Sequence, residues 1–158
     1  MFKFVLSSVF FVLLVAIPAH AHQFKLQSLT IKHPWSRATA PSASNGEVFM
    51  KIVNEGQDAD ALLGASGPGL AEKIELQMPR EEAGVMHMHP VSQIDIPAHD
   101  SVALKPGSFH LVLFGLKKPL IKDELVPLNL RFRKSGDIKV EIKVEAMDTM
   151  SENMNSHH

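Results

Sequence analysis

Two stretches near the C-terminal end of the chain alternate strictly between apolar and polar residues. Residues 128–132 are Leu-Asn-Leu-Arg-Phe, and residues 138–144 are Ile-Lys-Val-Glu-Ile-Lys-Val, with Ser135-Gly136 between them. A period of two places every apolar side chain of a strand on the same face. The two stretches therefore predict a β-hairpin with one buried face and one solvent-facing side.

The middle of the chain continues as short strand-like runs separated by turn residues. The candidate strands are 26–31, 47–53, 59–65, 73–78, 84–90, 101–104 and 109–114. Turn chemistry such as Asn45-Gly46 and Gly67-Pro68-Gly69 stands between them. No segment shows a sustained helical period. Many short strands with Gly and Pro turns predict an all-β antiparallel sandwich or barrel.

The first 21 residues have the pattern of an export signal. Lys3 precedes an apolar run over residues 4–17, Pro18 ends the run, and Ala19-His20-Ala21 has the small residues of a cleavage site. A retained membrane anchor is disfavoured, because a spanning helix needs roughly 20 apolar residues. We expect cleavage after Ala21, no membrane insertion of the product, and a location in the bacterial periplasm or an equivalent compartment.

The composition of the chain narrows the classes of function. Sixteen Lys and Arg against 17 Asp and Glu give a net charge of -1 without a basic block, so nucleic acid is an unfavoured partner. The chain has no Cys, which excludes disulfides and thiolate ligands. Nine His and eight Met remain as donors for soft metals.

The length of the processed chain predicts one domain, and we expect a monomer. Residues 22–146 form this domain. Residues 147–158, MDTMSENMNSHH, have no apolar face and predict a flexible tail. The tail contains a set of metal donors, which are Met147, Met150, Met154, His157 and His158.

Residues 86–89, Met-His-Met-His, place two thioethers on one side of a strand and two imidazoles on the other. Thioether and imidazole ligands together suit Cu(I). The alternative is that Met86 and Met88 fill the core while His87 and His89 are solvated. His110 stands in an otherwise apolar strand, where an imidazole needs a partner or a position at the rim.

Several blocks of sequence, in this order, resemble the PCuAC family of periplasmic copper chaperones. They are HPWSRA at 33–38, GVMHMHPV at 84–91, IPA at 96–98, LKPGSFHL at 104–111 and GLK at 115–117. The resemblance extends from about residue 31 to residue 144. It implies a cupredoxin-like antiparallel β-sandwich of Greek-key type that binds copper and has no catalytic activity.

The resemblance also implies a Cu(I) site, of which this sequence retains half. The family pattern is His or Met, ten residues, Met, 21 residues and His-x-Met. Met88 and His110 match this pattern. Gln77 and Val112 stand where the family has His or Met and then Met, and a Gln amide is a weak ligand for Cu(I) while Val offers none.

A third ligand is therefore expected from another Met or from the tail. Met86 shares the face of Met88 in a regular strand. Met78 is adjacent to the Gln77 position, and a bulge before Pro79 would turn it toward the site. If no third ligand is recruited, Met88 and His110 are remnants of the site.

Cleavage after Ala21 would create a second candidate site at His22. Its free α-amine and imidazole would chelate Cu(II), and one more His would complete a brace of three nitrogens. The third donors considered are His110, His87, His89 and His99. The alternative is that His22 lies in a frayed terminus and binds nothing.

Three functions follow from these features. The first is a copper chaperone that delivers Cu(I) or Cu(II) to a recipient cuproenzyme, such as the copper centre of a terminal oxidase, or to its assembly factors, as the resemblance implies. The second is a scaffold or regulator that has lost the metal site. The third is an oxidative copper enzyme built on a brace at His22, which the absence of Tyr and of a substrate groove disfavours.

Overall fold

The structure is a computed structural model that describes residues 22–148. The residues described form eleven strands and no helix. The strands are β1 (Gln23–Leu26), β2 (Leu29–Arg37), β3 (Asn45–Asn54), β4 (Asp60–Ser66), β5 (Ala71–Glu82), β6 (Val85–Val91), β7 (Ile94–Ile96), β8 (Asp100–Leu104), β9 (His110–Leu116), β10 (Leu125–Phe132) and β11 (Gly136–Glu145). The predicted all-β class is confirmed. The predicted signal peptide and most of the predicted tail lie outside the described residues.

The strands form a sheet in the order β6-β5-β9-β3-β2-β11-β10-β4-β7, with β1 added to β2 and β8 to β3. All pairs are antiparallel except β2 with β11. One face of the strands encloses the hydrophobic core. Its fully buried members include Ile31, Val48, Ile52, Leu62, Leu104, Leu111, Leu130, Val140 and Val144. Within residues 22–148, no helix has the length and apolar character needed to cross a bilayer.

The hairpin predicted from strict alternation is formed by β10 and β11. The two strands pair from Leu125 opposite Lys143 to Phe132 opposite Gly136, which leaves a loop of residues 133–135. Gly136 has a φ of 87°, a conformation that costs glycine little. Alternating burial along β10 confirms that one face is core and the other solvent.

Two local predictions were wrong, and one strand was not predicted. The predicted strand 26–31 is divided by a turn at Gln27, which has a φ of 53° and separates β1 from β2. Asn45-Gly46 is not a turn but the start of β3, paired with β9. The short strand β7 lies where the sequence contained only three alternating residues, Ile94-Asp95-Ile96, which is too short a run for periodicity to identify.

A buried carboxylate at the start of β4 fixes the loop of the β10–β11 hairpin. Asp60 accepts hydrogen bonds from the backbone N–H groups of Ala61 and Lys134, both at 2.8 Å, and of Ser135 at 3.1 Å. The Ser135 hydroxyl donates a fourth bond at 2.7 Å. Burial alone would raise the pKa of Asp60, but these bonds outweigh it and hold the pKa below the ordinary value of 3.8.

We expect Asp60→Asn to lower the free energy of unfolding by about 2 kcal/mol at neutral pH, because an amide leaves buried N–H donors without an acceptor. The folded state lowers this pKa, so the carboxylate stabilises the protein above its unfolded-state pKa. That contribution is lost as the pH falls through the folded-state pKa. Urea denaturation at several pH values should show that the difference in free energy of unfolding between wild type and Asp60→Asn becomes smaller in acid. A difference that does not depend on pH would contradict this role of the Asp60 charge.

Candidate metal centre

The sheet face opposite the core brings together side chains from β6, β5, β9 and β3. Gln77 on β5 pairs directly with His110 on β9 and with Pro90 on β6. On β3, Glu47 pairs with Val112 of β9. Because directly paired residues point to the same face, these side chains lie side by side on the outer surface of the sheet.

A small apolar cluster supports this face from below. Trp35 and Phe49 are buried but are not part of the main core. Their ring centroids are 4.8 Å apart, and the Phe49 centroid is 5.9 Å from that of His110. Aromatic contacts at these distances fix ring positions. The His110 ring is therefore packed against a rigid base rather than free in solvent.

The backbone before β9 fixes the orientation of His110. The residue is only 4% exposed, and its Nδ1 lies 2.9 Å from the carbonyl oxygen of Ser108. A carbonyl only accepts, so Nδ1 carries the hydrogen and Nε2 of the neutral ring has a free lone pair. The position of this carbonyl is set by the turn before β9. In that turn the Ser108 N–H donates to the carbonyl oxygen of Lys105, and Gly107 has a φ of 76°.

A tight hairpin presents the two thioethers of β6 on the same face. Ala83 and Gly84 both have positive φ, at 52° and 79°, as a two-residue type I′ turn requires. Beyond this turn, Met88 pairs with Pro79 and Met86 with Glu81, in the same alternation that places Gln77 outward. Met86 is 59% exposed and Met88 is 37% exposed. The alternative that they fill the core is wrong.

The imidazoles of the same strand point the other way. His87 is exposed, and His89 is half-buried. The Nε2 atom of His89 lies 3.1 Å from a carboxylate oxygen of Glu82, without the alignment of a hydrogen bond. Neither ring shares the face of His110, because alternate residues of β6 face opposite sides.

Met78 is not brought to the candidate site. It pairs with His89, on the face opposite that of Met88. The pairing of β5 with β6 runs without a register shift from Leu76 to Glu82, so the bulge that would have redirected Met78 is not formed. Met78 is therefore excluded as a third ligand. Among the described residues, Met86 is the Met that shares the face of Met88 on β6.

The two positions that depart from the family pattern do lie on the site face. Gln77 is directly opposite His110, and Val112 is two residues farther along β9. The Gln77 side-chain amide donates to Glu75 at 3.2 Å. The four positions of the pattern, 77, 88, 110 and 112, therefore share one face, although only Met88 and His110 have side chains suited to Cu(I).

Sequence reasoning did not identify Glu47 as a neighbour of the site. Its Oε1 lies 3.6 Å from Nε2 of His110, and its Oε2 lies 3.8 Å from the Arg37 guanidinium. The alternation of residues 47–53 places Glu47 and Phe49 on one face, but only the pairing of β3 with β9 reveals that this face contains His110.

His22 lies away from this centre. Its imidazole contacts the carbonyl oxygen of Glu141 on β11, and its own carbonyl accepts from the His33 N–H at 2.8 Å. Strands β2 and β3 lie between this position and β9. Three of the donors predicted for a brace, His110 on β9 and His87 and His89 on β6, are therefore not its neighbours. His99 lies before β8, which pairs with β3 and not with β1 or β2.

The histidine beside His22 is His33, whose Nε2 lies 2.8 Å from Glu145. From the sequence His33 is expected to be structural and not a ligand, because the pairing of β1 with β2 that places it opposite His22 cannot be seen in the sequence. Among residues 22–148, no three His, Asp or Glu side chains already converge as a metal site.

Comparison with known proteins gives matches over most of the chain. The family model described as "Putative lipoprotein LpqE-like" matches residues 29–144. The protein named "Putative lipoprotein Lxx21020", from Leifsonia xyli subsp. xyli (strain CTCB07), is 28% identical over 121 residues, which cover 75% of this chain and 72% of that protein.

Solved structures of similar fold include a PCuAC domain and a copper-bound protein. The copper-bound PCuAC domain from PmoF2 has a TM-score of 0.69 at 23% identity, covering 79% of this chain and 98% of that domain. The solution structure of Cu(I)-DR1885 from Deinococcus radiodurans has a TM-score of 0.57 at 24% identity, covering 80% and 83%. These likenesses establish a shared fold.

The shared face of the four pattern positions predicts the effect of restoring the two missing ligands. We expect the double variant Gln77→His and Val112→Met to bind Cu(I) at least about tenfold more tightly than wild type, because two soft or borderline donors are added beside His110. Competition with a Cu(I) chelator measures the change. If wild type binds as tightly as the restored variant, the natural site already has a full set of ligands.

Proposed function

The chain belongs to the LpqE-like family, and its resemblance to PCuAC domains is confirmed by their shared fold; on that premise we propose that it is an exported, non-catalytic protein that binds copper and delivers it to another protein. Met88 and His110 are the proposed Cu(I) ligands, with Met86 or a donor of the tail as the third.

The observation that carries this proposal is the burial of His110 together with the hydrogen bond of its Nδ1 atom. A buried imidazole whose Nδ1–H donates to a backbone carbonyl has its other nitrogen fixed in position, and in the neutral ring that nitrogen has a free lone pair. Metal-binding histidines are held in this way, because the outer hydrogen bond sets both tautomer and ring direction. The donor set of one imidazole and two nearby thioethers suits Cu(I).

The exposure of the thioethers supports delivery rather than permanent storage. Met86 and Met88 lie on β6, which is the last strand at its end of the sheet, and both are accessible to solvent. A recipient protein can approach these ligands without opening the core. A copper ion held by few ligands at an accessible edge can exchange one ligand at a time with a recipient.

Export and the recipient are further parts of the proposal. The predicted signal peptide supports a periplasmic location, and the lipoprotein names of relatives also suggest the cell envelope. The sequence has no Cys, so it lacks the residue on which bacterial lipoproteins carry lipid. The proposed recipient is a cuproenzyme, such as the copper centre of a terminal oxidase, or one of its assembly factors.

A scaffold or regulator without metal is the second candidate function. The observation in its favour is that Gln77 and Val112 occupy the site face with side chains that Cu(I) does not prefer. It predicts no stoichiometric copper uptake by the protein. Uptake of less than about a tenth of an equivalent of either Cu(I) or Cu(II) at micromolar concentration would favour this function and refute the chaperone.

We expect Met88→Leu to weaken Cu(I) binding at least about tenfold, because Leu keeps the volume of Met but has no thioether. Chelator competition on the processed protein measures the affinity. Met78→Leu is the matched control, since it makes the same chemical change on the opposite face. Equal losses in the two variants would mean that the site face does not bind the ion.

His22 is proposed as a separate Cu(II) chelate formed by export. Cleavage would expose its α-amine beside its imidazole, and His33 stands directly opposite as a further nitrogen donor. The α-amine has an ordinary pKa of about 7.7 to 8.0, so a proton competes with copper near neutral pH. Binding at this chelate should therefore strengthen as the pH rises.

Selective Nα-acetylation of His22 in the processed protein should weaken Cu(II) binding at the terminus at least about tenfold, a change of about 1.4 kcal/mol. Acetylation converts the amine to an amide, adds no new amine and leaves every side chain of the site in place. Isothermal titration with Cu(II) compares the two proteins, and Cu(I) affinity serves as the control that should not change. Equal Cu(II) affinity would remove His22 from the ligands.

A further inference from the structure

We propose that Glu47 is a metal ligand of the same centre and makes it accept Cu(II) as well as Cu(I). This inference rests on the proposed function, because it adds a ligand to the site of Met88 and His110. In this arrangement His110 is shared by both oxidation states. The thioethers of β6 serve Cu(I) on one side of the ring, and the carboxylate of β3 serves Cu(II) on the other.

The distance between the two donor atoms is within one side-chain adjustment of the separation of two ligands of one ion. Nε2 of His110 lies 3.6 Å from Oε1 of Glu47. Adjacent ligands about 2.0 to 2.2 Å from a square-planar or tetragonal Cu(II) ion stand about 2.8 to 3.1 Å apart, so the two atoms must approach each other by less than about 1 Å. A small movement of the Glu47 side chain, which is half exposed, is enough to place both atoms on one ion.

The sheet holds Glu47 at this distance through its neighbours on both sides. On β9 it is paired with Val112, two residues beyond His110. On β2 the Arg37 guanidinium lies 3.8 Å from the second carboxylate oxygen, Oε2, and 5.7 Å from the ring centroid of Phe49. Arg37 therefore faces one oxygen while the other remains directed toward His110.

The chemistry of the donors separates the two oxidation states. Carboxylate oxygen is a hard ligand, imidazole is borderline, and thioether is soft. Cu(II) binds nitrogen and oxygen ligands more strongly than the other common divalent first-row metals do. The resemblance places Met at position 112, beside Glu47, but this chain has Val112, so a soft donor is missing from the side of the ring that Glu47 occupies.

A second carboxylate on the same face provides a matched control. Glu75 is paired with Val112 from the other side, on β5. It is already engaged by the Lys73 ammonium group and by the Gln77 amide, and the hydrogen bond from Lys73 is the main reason that the pKa of Glu75 lies below its ordinary value. Glu75 therefore has the same charge and face as Glu47 but not its contact with His110.

The experiment compares Glu47→Gln, Glu75→Gln and wild type by nuclear magnetic resonance during titration with Cu(II). The paramagnetic ion broadens signals near its site, so the methyl signals of Val112 report this centre separately from copper at His22 or the tail. We expect strong broadening in wild type and Glu75→Gln. Glu47→Gln should need at least about tenfold more free Cu(II) for the same broadening.

Cu(I) affinity by chelator competition, measured on the same three proteins, provides the second readout. We expect Glu47→Gln to change it less than about threefold, because the soft ligands of β6 are intact. Equal Val112 broadening in Glu47→Gln and wild type would overturn the role of Glu47. Loss of Cu(II) and Cu(I) binding together would overturn the division of ligands by oxidation state.

The failure of the proposed function gives a different result. In that case Val112 is not broadened by Cu(II) in any of the three proteins, and Cu(I) affinity is unaffected by Met88→Leu. If Glu47 alone is misassigned, Met88→Leu still weakens Cu(I) binding. The two outcomes are therefore distinguishable in one set of variants.

Discussion

The pairing of β9 with both β5 and β3 is the constraint on which the rest of the structure depends. It directs the side chains of Leu111 and Leu113 on β9 into the core, where both are fully buried. The even-numbered residues of β9 face the outer side of the sheet. His110 must then lie outside the main core while remaining inside the sheet. A one-residue slip of this register would exchange the two faces and place an imidazole in the core.

The outer face can hold a buried imidazole because it has an apolar base of its own. Trp35 and Phe49 are buried there, apart from the main core, and Phe49 contacts the ring of His110. The packing of Phe49 against His110 restricts the position of the imidazole. The carbonyl of Ser108 restricts which imidazole nitrogen carries the hydrogen. The ring position and the Nδ1 hydrogen bond are thus set by the fold, so the ligand role proposed for His110 needs little ordering on binding.

Features that depend on alternation within one strand could be predicted from the sequence. The β10–β11 hairpin and the common face of Met86 and Met88 are of this kind, because each follows from a period of two. Features that depend on which strands are neighbours could not. The distance from Glu47 to His110 arises from the pairing of β3 with β9, two segments far apart in the chain. The position of His33 opposite His22 depends on the turn at Gln27 between β1 and β2, where the sequence predicted a continuous strand.

The split between soft and hard donors also explains why departures from a ligand pattern need not abolish a site. A ligand lost from one strand can be replaced by a different donor on the neighbouring strand, since directly paired residues lie only about 5 Å apart. Val112 removes a soft donor, but its pairing partner Glu47 stands within reach of the same imidazole. Such a replacement changes the preferred oxidation state before it changes the fold, because both positions are on the outer face and neither belongs to the core.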